Sequence, residues 1–131
     1  MMTSDAPKIT LYELLGGDPT LRQLVTRFYD LMDQQPEFAT LRSLHGHDLI
    51  PIREKLGDWL SGWLGGPPLY EQRPDATCIG HAHAGFKIDQ QMLDEWLTCL
   101  DQAMADICVP QPVQARLRPH FSALAGFLRN H

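Results

Sequence analysis

The chain is expected to fold as an all-α domain, and three features of the sequence lead there. Apolar residues recur at spacings of three and four over long stretches, the mark of amphipathic helices. No stretch alternates apolar and polar residues with the period of two that a half-buried strand requires. Glycine and proline clusters, such as Gly16-Gly17 and Gly65-Gly66-Pro67-Pro68, punctuate the periodic stretches.

The elements follow in order. Residues 8–15 make a short amphipathic piece that stops at Gly16-Gly17. Asp18 and Thr20 offer side-chain oxygens to cap a second helix, with Leu21, Leu24, Val25, Phe28 and Met32 on one stripe. Pro36 opens an irregular turn region holding Phe38, Leu41 and Leu44. Asp48 is placed to cap a fourth segment, and Pro51 is tolerated there because its missing N–H falls in the first turn. In that segment Leu49, Ile52, Leu56, Trp59, Leu60 and Trp63 recur at helical spacing, until the Gly-Gly-Pro-Pro run ends it. After a polar connection over residues 70–75 comes a short segment rich in histidine. A long helix then carries Ile88, Met92, Trp96, Leu100, Met104 and Ile107 on a single face, and Pro110 and Pro112 break it. The last helix shows Val113, Leu117, Phe121, Leu124 and Leu128. There is neither an internal repeat nor a low-complexity tract.

Length and composition bound the function. At 131 residues and 44% hydrophobic the chain reads as one domain over 1–131, with 1–8 as a flexible N-terminus. Such a chain buries roughly two-thirds of its unfolded surface. The net charge is −5 and the basic residues form no stripe, which argues against a nucleic-acid partner. No apolar run approaches the roughly 20 residues of a membrane span. The opening MMTSDAPKIT has neither a basic n-region nor an apolar h-region, so no signal peptide is visible. Cys78, Cys99 and Cys108 make an odd count without framework spacing, which favours reduced thiols and a cytoplasmic location.

The stretch GHAHAGF, residues 80–86, places two histidines one residue apart. On a strand, His81 and His83 would face the same side and could chelate one ion. On a helix they lie about 200° apart. Asp75 after Pro74 as an N-cap and Gly85 as a C-cap favour a short helix, so only one histidine can face the core. Ile79 four residues before and Phe86 three after give His83 the apolar face, whereas His81 shares its side with Thr77 and Cys78. His83 is therefore the residue expected to be buried.

A lone buried histidine is more often a satisfied core residue than a ligand. Three features shift the balance. Trp96 brings a large apolar side chain with one donor, and Tyr29 beside Phe28 puts a phenol at the rim of an apolar stripe. The Trp59, Leu60 and Trp63 cluster is broad and flat enough to line a planar apolar ligand. An apolar slot with one imidazole and a few polar hydrogens meets the needs of a haem. A second reading uses other residues: a non-haem helical metal-binding or interaction module built on His45, His47, His81 and Cys78. Colour separates them, because a haem protein is red and a zinc or apo module is colourless.

From about Leu11 to about Leu128 the chain resembles the group II truncated (2-on-2) haemoglobins. The resemblance rests on ELLGG (13–17), RFYDLMD (27–33), LHGHDL (44–49), WLGGPPLY (63–70), HAGFKI (83–88) and DEWLTCL (94–100), in that order. It also rests on the thirteen-residue interval from His83 to Trp96. It implies a compact globin-like 2-on-2 helical sandwich around haem b. His83 falls on the proximal iron ligand, Tyr29 on the distal phenol and Trp96 on the distal indole. His45 takes the polar position at the start of the turn before the fourth segment, and Ile52 the place of the distal histidine of ordinary globins. Leu56 should lie over the porphyrin, and Lys55 and Tyr70 match positions that reach haem propionates. Trp59 and Phe86 complete the expected cofactor contacts. The family usually shows a basic residue immediately before the proximal histidine, where this chain has Ala82, and a proline two residues after it, where this chain has Gly85. The first departure removes a propionate partner, and the second loosens the proximal loop.

The function implied is binding of O2, NO and CO at a five-coordinate ferrous iron, with Tyr29, Trp96 and His45 hydrogen-bonding to O2. Two or three donors at roughly 1–2 kcal/mol each would raise O2 retention by two or more decades. Slow release suits O2/NO or peroxide chemistry, with an unidentified reductase as electron source, better than bulk oxygen transport. Whether that makes the protein an enzyme, as an NO dioxygenase or a peroxidase, is left open by the sequence.

Overall fold

The computed structural model describes residues 9–131, apart from the side chains of Ile79 and His81. The flexible N-terminus expected over 1–8 lies outside the described residues, as do the contacts expected of those two side chains. Among the described residues there is no strand, and the helices are α1 (Leu11–Leu15), α2 (Gly17–Gln34), α3 (Ala39–Ser43), α4 (Ile50–Trp63), α5 (Ile79–His83), α6 (Gln90–Asp106) and α7 (Gln111–Leu128). A 3-10 turn at Pro36–Phe38 leads into α3. Helix α2 packs on both α4 and α6, and α6 packs on α7. Two helix pairs, α2/α4 and α6/α7, thus meet through the α2–α6 contact as a sandwich.

Local chemistry sets most of the helix ends, though not always where the sequence places them. The Thr10 hydroxyl accepts from the Glu13 N–H at 3.0 Å and caps α1. Gly16 at φ 121° and Gly17 at φ 75° turn the chain straight into α2, a backbone path that side-chain-bearing residues rarely take. The helix therefore starts before Asp18 and Thr20 can cap it. Asp18 lies instead in the first turn, where acid suits the helix dipole, and pairs with Arg22 one turn on at 3.2 Å. Asp48 accepts from the Ile50 N–H at 3.0 Å from just outside α4, and Pro51 sits in the first turn as expected.

The histidine segment is helical, but its expected caps are not used. Helix α5 begins at Ile79, four residues beyond Asp75, whose carboxylate is held by Lys55 and Arg73 instead. Gly85 is not among the positive-φ glycines, and the Phe86 N–H closes the turn on the His83 carbonyl at 3.1 Å.

Helix α6 starts at Gln90 because the Asp89 carboxylate accepts from the Met92 N–H at 3.0 Å. Ile88, expected on the helix face, lies just before it and is buried; its carbonyl accepts from the Asn130 and His131 N–H groups. Asp89→Ala should cost about 1 kcal/mol, lowering the melting temperature of the apoprotein by a few degrees; an unchanged melt would show that the cap contributes nothing. The break after α6 comes at Cys108, in the left-handed region at φ 63°, ahead of both prolines. Pro112 is accommodated in the first turn of α7. Pro119 stands inside α7, yet Leu117, Phe121, Leu124 and Ala125 still form one buried side.

The core joins Leu21, Leu24, Phe28 and Leu31 of α2 to Leu60, Met104, Leu117 and Phe121. Cys99 is fully buried there with its Sγ 3.3 Å from the Phe28 carbonyl oxygen. Burial pushes its pKa up to about 12, so it stays a thiol and behaves as a small core residue.

Candidate functional site

A cavity of about 490 Å³ opens between α2, α4, α5, α6 and the loop that follows α4. Its volume lies within the range of roughly 300–1,000 Å³ typical of cofactor pockets. The cavity gathers all ten residues that the family resemblance places at the cofactor. Tyr29 comes from α2, Ile52, Lys55, Leu56 and Trp59 from one side of α4, and Trp96 from α6. His45 enters from the α3–α4 turn, Tyr70 from the loop, and His83 and Phe86 from α5 and its exit. The four α4 positions sit at spacings of three and four, so a single helix face delivers them all.

The wall is not quite the one the spacing implies. Of the Trp59, Leu60 and Trp63 cluster, only Trp59 lines the cavity. Leu60 turns about 100° away into the core, as the next residue on a helix must. Trp63 stacks on Trp59 at 5.6 Å and leans on Phe121 at 5.7 Å, supporting the wall from behind. His83 is half-buried rather than buried, and Phe86, although on the wall, keeps 42% of its surface exposed. Met92 and Leu124, which helical periodicity marks only as core, add apolar lining, as does Leu93, which the stripe does not include.

Two polar groups stand out inside the apolar lining. Tyr29 is only 3% exposed, in edge contact with Phe28 at 5.0 Å and His45 at 5.8 Å. Its hydroxyl makes no hydrogen bond to another group among the described residues, although it lines the cavity. Burial drives its pKa upward, so the phenol keeps its proton and remains a donor. The Trp96 ring is held edge-on by Phe28 and Phe121, and its indole N–H likewise has no hydrogen-bond acceptor among the described residues. Tyr29 is buried and Trp96 partly buried, both line one apolar cavity, and neither donor is taken by a described protein group, so the cavity offers two hydrogens to an acceptor from outside the chain.

His45 carries different chemistry from that expected. Its Nδ1 lies 3.0 Å from the Leu41 carbonyl oxygen, which can only accept, so Nδ1 bears the hydrogen. Burial lowers its pKa, which keeps the ring neutral and leaves Nε2 as an acceptor. An Nε2 without a hydrogen cannot donate, so the expected hydrogen bond from His45 to a ligand requires the other tautomer and the loss of the Leu41 contact.

The cavity mouth is charged. Lys55 Nζ lies 3.2 Å from Asp75 Oδ2, and Asp75 Oδ1 lies 3.1 Å from Arg73 Nε. Arg73 Nη1 reaches Asp58 at 2.8 Å, and the other oxygen of Asp58 meets Arg22 at 2.7 Å. The bonds to Lys55 and Arg73 hold Asp75 below the usual carboxylate range. Burial would raise Asp58, but its two arginines outweigh that and lower it as well. The Tyr70 hydroxyl accepts from the Thr77 N–H at 3.3 Å. Sequence reasoning missed Arg73 and took Asp75 for a cap, because ion pairs between distant segments leave no periodic trace.

The alternative metal module finds no support here. Among the described residues no group of three His, Cys, Asp or Glu side chains is arranged to hold a metal ion. His45 is turned onto Leu41, and His47 is exposed. The large cavity is built differently: one imidazole on a short helix, apolar walls, and a buried phenol and an indole left open. These residues fit a haem. A 2-on-2 helical sandwich carrying such a cavity defines a small globin.

Known proteins agree. Residues 10–130 match the family described as Bacterial-like globin. The Group 2 truncated hemoglobin YjbI of Bacillus subtilis is 33% identical over 71% of this chain and 67% of its own length. The Group II 2-on-2 hemoglobin of Agrobacterium tumefaciens superposes with a TM-score of 0.86 at 36% identity, over 96% of this chain and 98% of that one. The truncated oxygen-avid haemoglobin of Bacillus subtilis does so with a TM-score of 0.80 at 27% identity, over 92% of this chain and 99% of that one. The chain belongs to the bacterial-like globin family, as a group II truncated haemoglobin. Its cofactor is haem with its iron, and its activity is the binding of gaseous ligands there.

Proposed function

We propose that the chain binds O2, and NO and CO as further ligands, at a five-coordinate haem b iron to which His83 supplies the protein's nitrogen. The observation that carries this reading is Tyr29, a buried side chain that lines the cavity and whose hydroxyl is bonded to no described protein group. A bound haem would supply the iron site for a diatomic ligand and the electron density that makes O2 a hydrogen-bond acceptor. Tyr29 and Trp96 then donate hydrogen bonds to the ligand oxygens from within an apolar cavity, where such bonds strengthen. His45, with Nδ1–H engaged by the Leu41 carbonyl, gives the ligand no hydrogen bond and packs edge-on against Tyr29. Ile52 and Leu56 supply bulk, narrowing entry and excluding water. Mixing the oxygenated protein with excess CO measures O2 release. Release slowed by a decade or more relative to a donor-free pocket is expected, and rapid release would overturn the reading.

Slow release favours O2/NO or peroxide chemistry over bulk oxygen delivery, with a separate reductase as partner. Consumption of NO by the oxygenated protein, yielding one nitrate per NO, is the expected result. Among the described residues no helix is long and apolar enough to cross a membrane. Cys78, Cys99 and Cys108, an odd count without framework spacing, favour reduced thiols and a cytoplasmic location for this single-domain protein.

At the mouth, Lys55 and Tyr70 serve the haem propionates, since Ala82 offers no charge. Lys55→Ala should speed haemin transfer to an acceptor globin by a few-fold, the size of an exposed ion pair worth about 1 kcal/mol. No change beyond error would return Lys55 to the solvated surface.

A further inference from the structure

The charge balance of the cavity runs against its cofactor. Haem b carries two propionate carboxylates, yet among the described residues lining the cavity Lys55 is the single lysine or arginine, against Asp48 and Asp75. Asp48 is turned to the Ile50 N–H at the start of α4. Asp75 is not turned away. It lines the mouth beside Lys55 and holds its ammonium at 3.2 Å.

We propose that Asp75 is an internal competitor for the haem propionates, occupying Lys55, the one lysine or arginine among the described residues lining the cavity, and so shortening haem residence. The proposal rests on the haem reading given above. One ammonium can neutralise one carboxylate at contact distance, and a second carboxylate drawn to the same spot is repelled by the first. Asp75 cannot simply swing aside. Its other oxygen is held by Arg73 at 3.1 Å, and Arg73 is anchored by Asp58, which Arg22 holds from α2. A chain of alternating charges, Lys55–Asp75–Arg73–Asp58–Arg22, thus fixes the competing carboxylate from behind. The same chain fastens the loop after α4 to the body of the fold. A tether of that kind is the rival account of Asp75, and the two accounts predict opposite signs.

Asp75→Asn separates them, because the amide keeps the shape and its oxygen can still accept from Arg73. The first arm titrates the wild-type chain with haemin and follows the Soret band. If no stoichiometric band forms, the haem reading and this proposal fall together. The second arm measures haemin transfer to an excess of acceptor globin for the holoproteins. Competition predicts loss from Asp75→Asn slower by about threefold or more, with a gain at least halved in a Lys55→Ala background, where there is no ammonium left to release. Loss that is unchanged or faster in Asp75→Asn, over a wild type that does bind haem, overturns the proposal and leaves the haem reading standing. Thermal melting of the two apoproteins serves as the control for folding. A large drop in melting temperature together with faster loss would assign Asp75 to the loop tether.

Discussion

His83→Ala is expected to abolish stoichiometric haem uptake, or to leave an uptake that added imidazole restores, while His81→Ala leaves the absorption spectrum close to wild type. On a helix such as α5, residues two apart are turned by about 200°, so a single ligand is expected to take its nitrogen from one of the pair. His83 lines the cavity. Removing it leaves the iron without an axial nitrogen from the protein, and a small free imidazole can take up the vacated space. Haemin titration with detection of the Soret band checks the first claim, and repeating it in millimolar imidazole checks the second. Equal loss in both variants, or loss in the His81 variant alone, would sink the assignment of His83.

Tyr29→Phe and Trp96→Phe should each accelerate O2 release by about tenfold, the effect of one lost hydrogen bond to a charged acceptor in an apolar site. Phenylalanine keeps the ring contacts with Phe28 and, for residue 96, with Phe121, so packing changes little at position 29 and moderately at 96. Carbon monoxide gathers little negative charge on its outer atom, and its release should respond much less. That contrast separates hydrogen bonding from bulk. The two substitutions should fall short of additivity, because both donors act on one ligand. Ile52→Ala should differ in kind, raising association rates by opening the entry without a matching change in O2 retention. Release rates unchanged in both donor variants would make the pocket apolar in function and remove the case for oxygen chemistry.

Much of this site is legible in the chain because helices write their contacts locally. Ile52, Lys55, Leu56 and Trp59 repeat at three and four, so the face they share follows from the spacing. The order of motifs from ELLGG to DEWLTCL then supplies what periodicity cannot, the family and with it the expectation of a haem. The ten residues that the resemblance places at the cofactor do line one cavity, while Leu60 and Trp63, expected beside Trp59, do not.

The misses have a common cause. Asp18, Thr20, Asp75 and Gly85 were expected at helix ends because their side chains or flexibility suit those places. Capping, however, depends on the backbone path and on which partner claims the carboxylate first. Positive φ at Gly16 and Gly17 starts α2 early, and Lys55 and Arg73, twenty and two residues away in the chain, claim Asp75.

The sequence by itself determined the helical class, the order of the helices and the family, because each depends on residues a few positions apart or on motifs in series. Tertiary structure alone decided which side chains are left open and which are taken. It directed Nδ1 of His45 to the Leu41 carbonyl and so made the ring an acceptor, left the Tyr29 phenol without a described partner, and strung five charges from α2 to the mouth. A hydrogen bond or an ion pair is satisfied by whatever lies within about 3 Å in space, and distance along the chain carries no record of that.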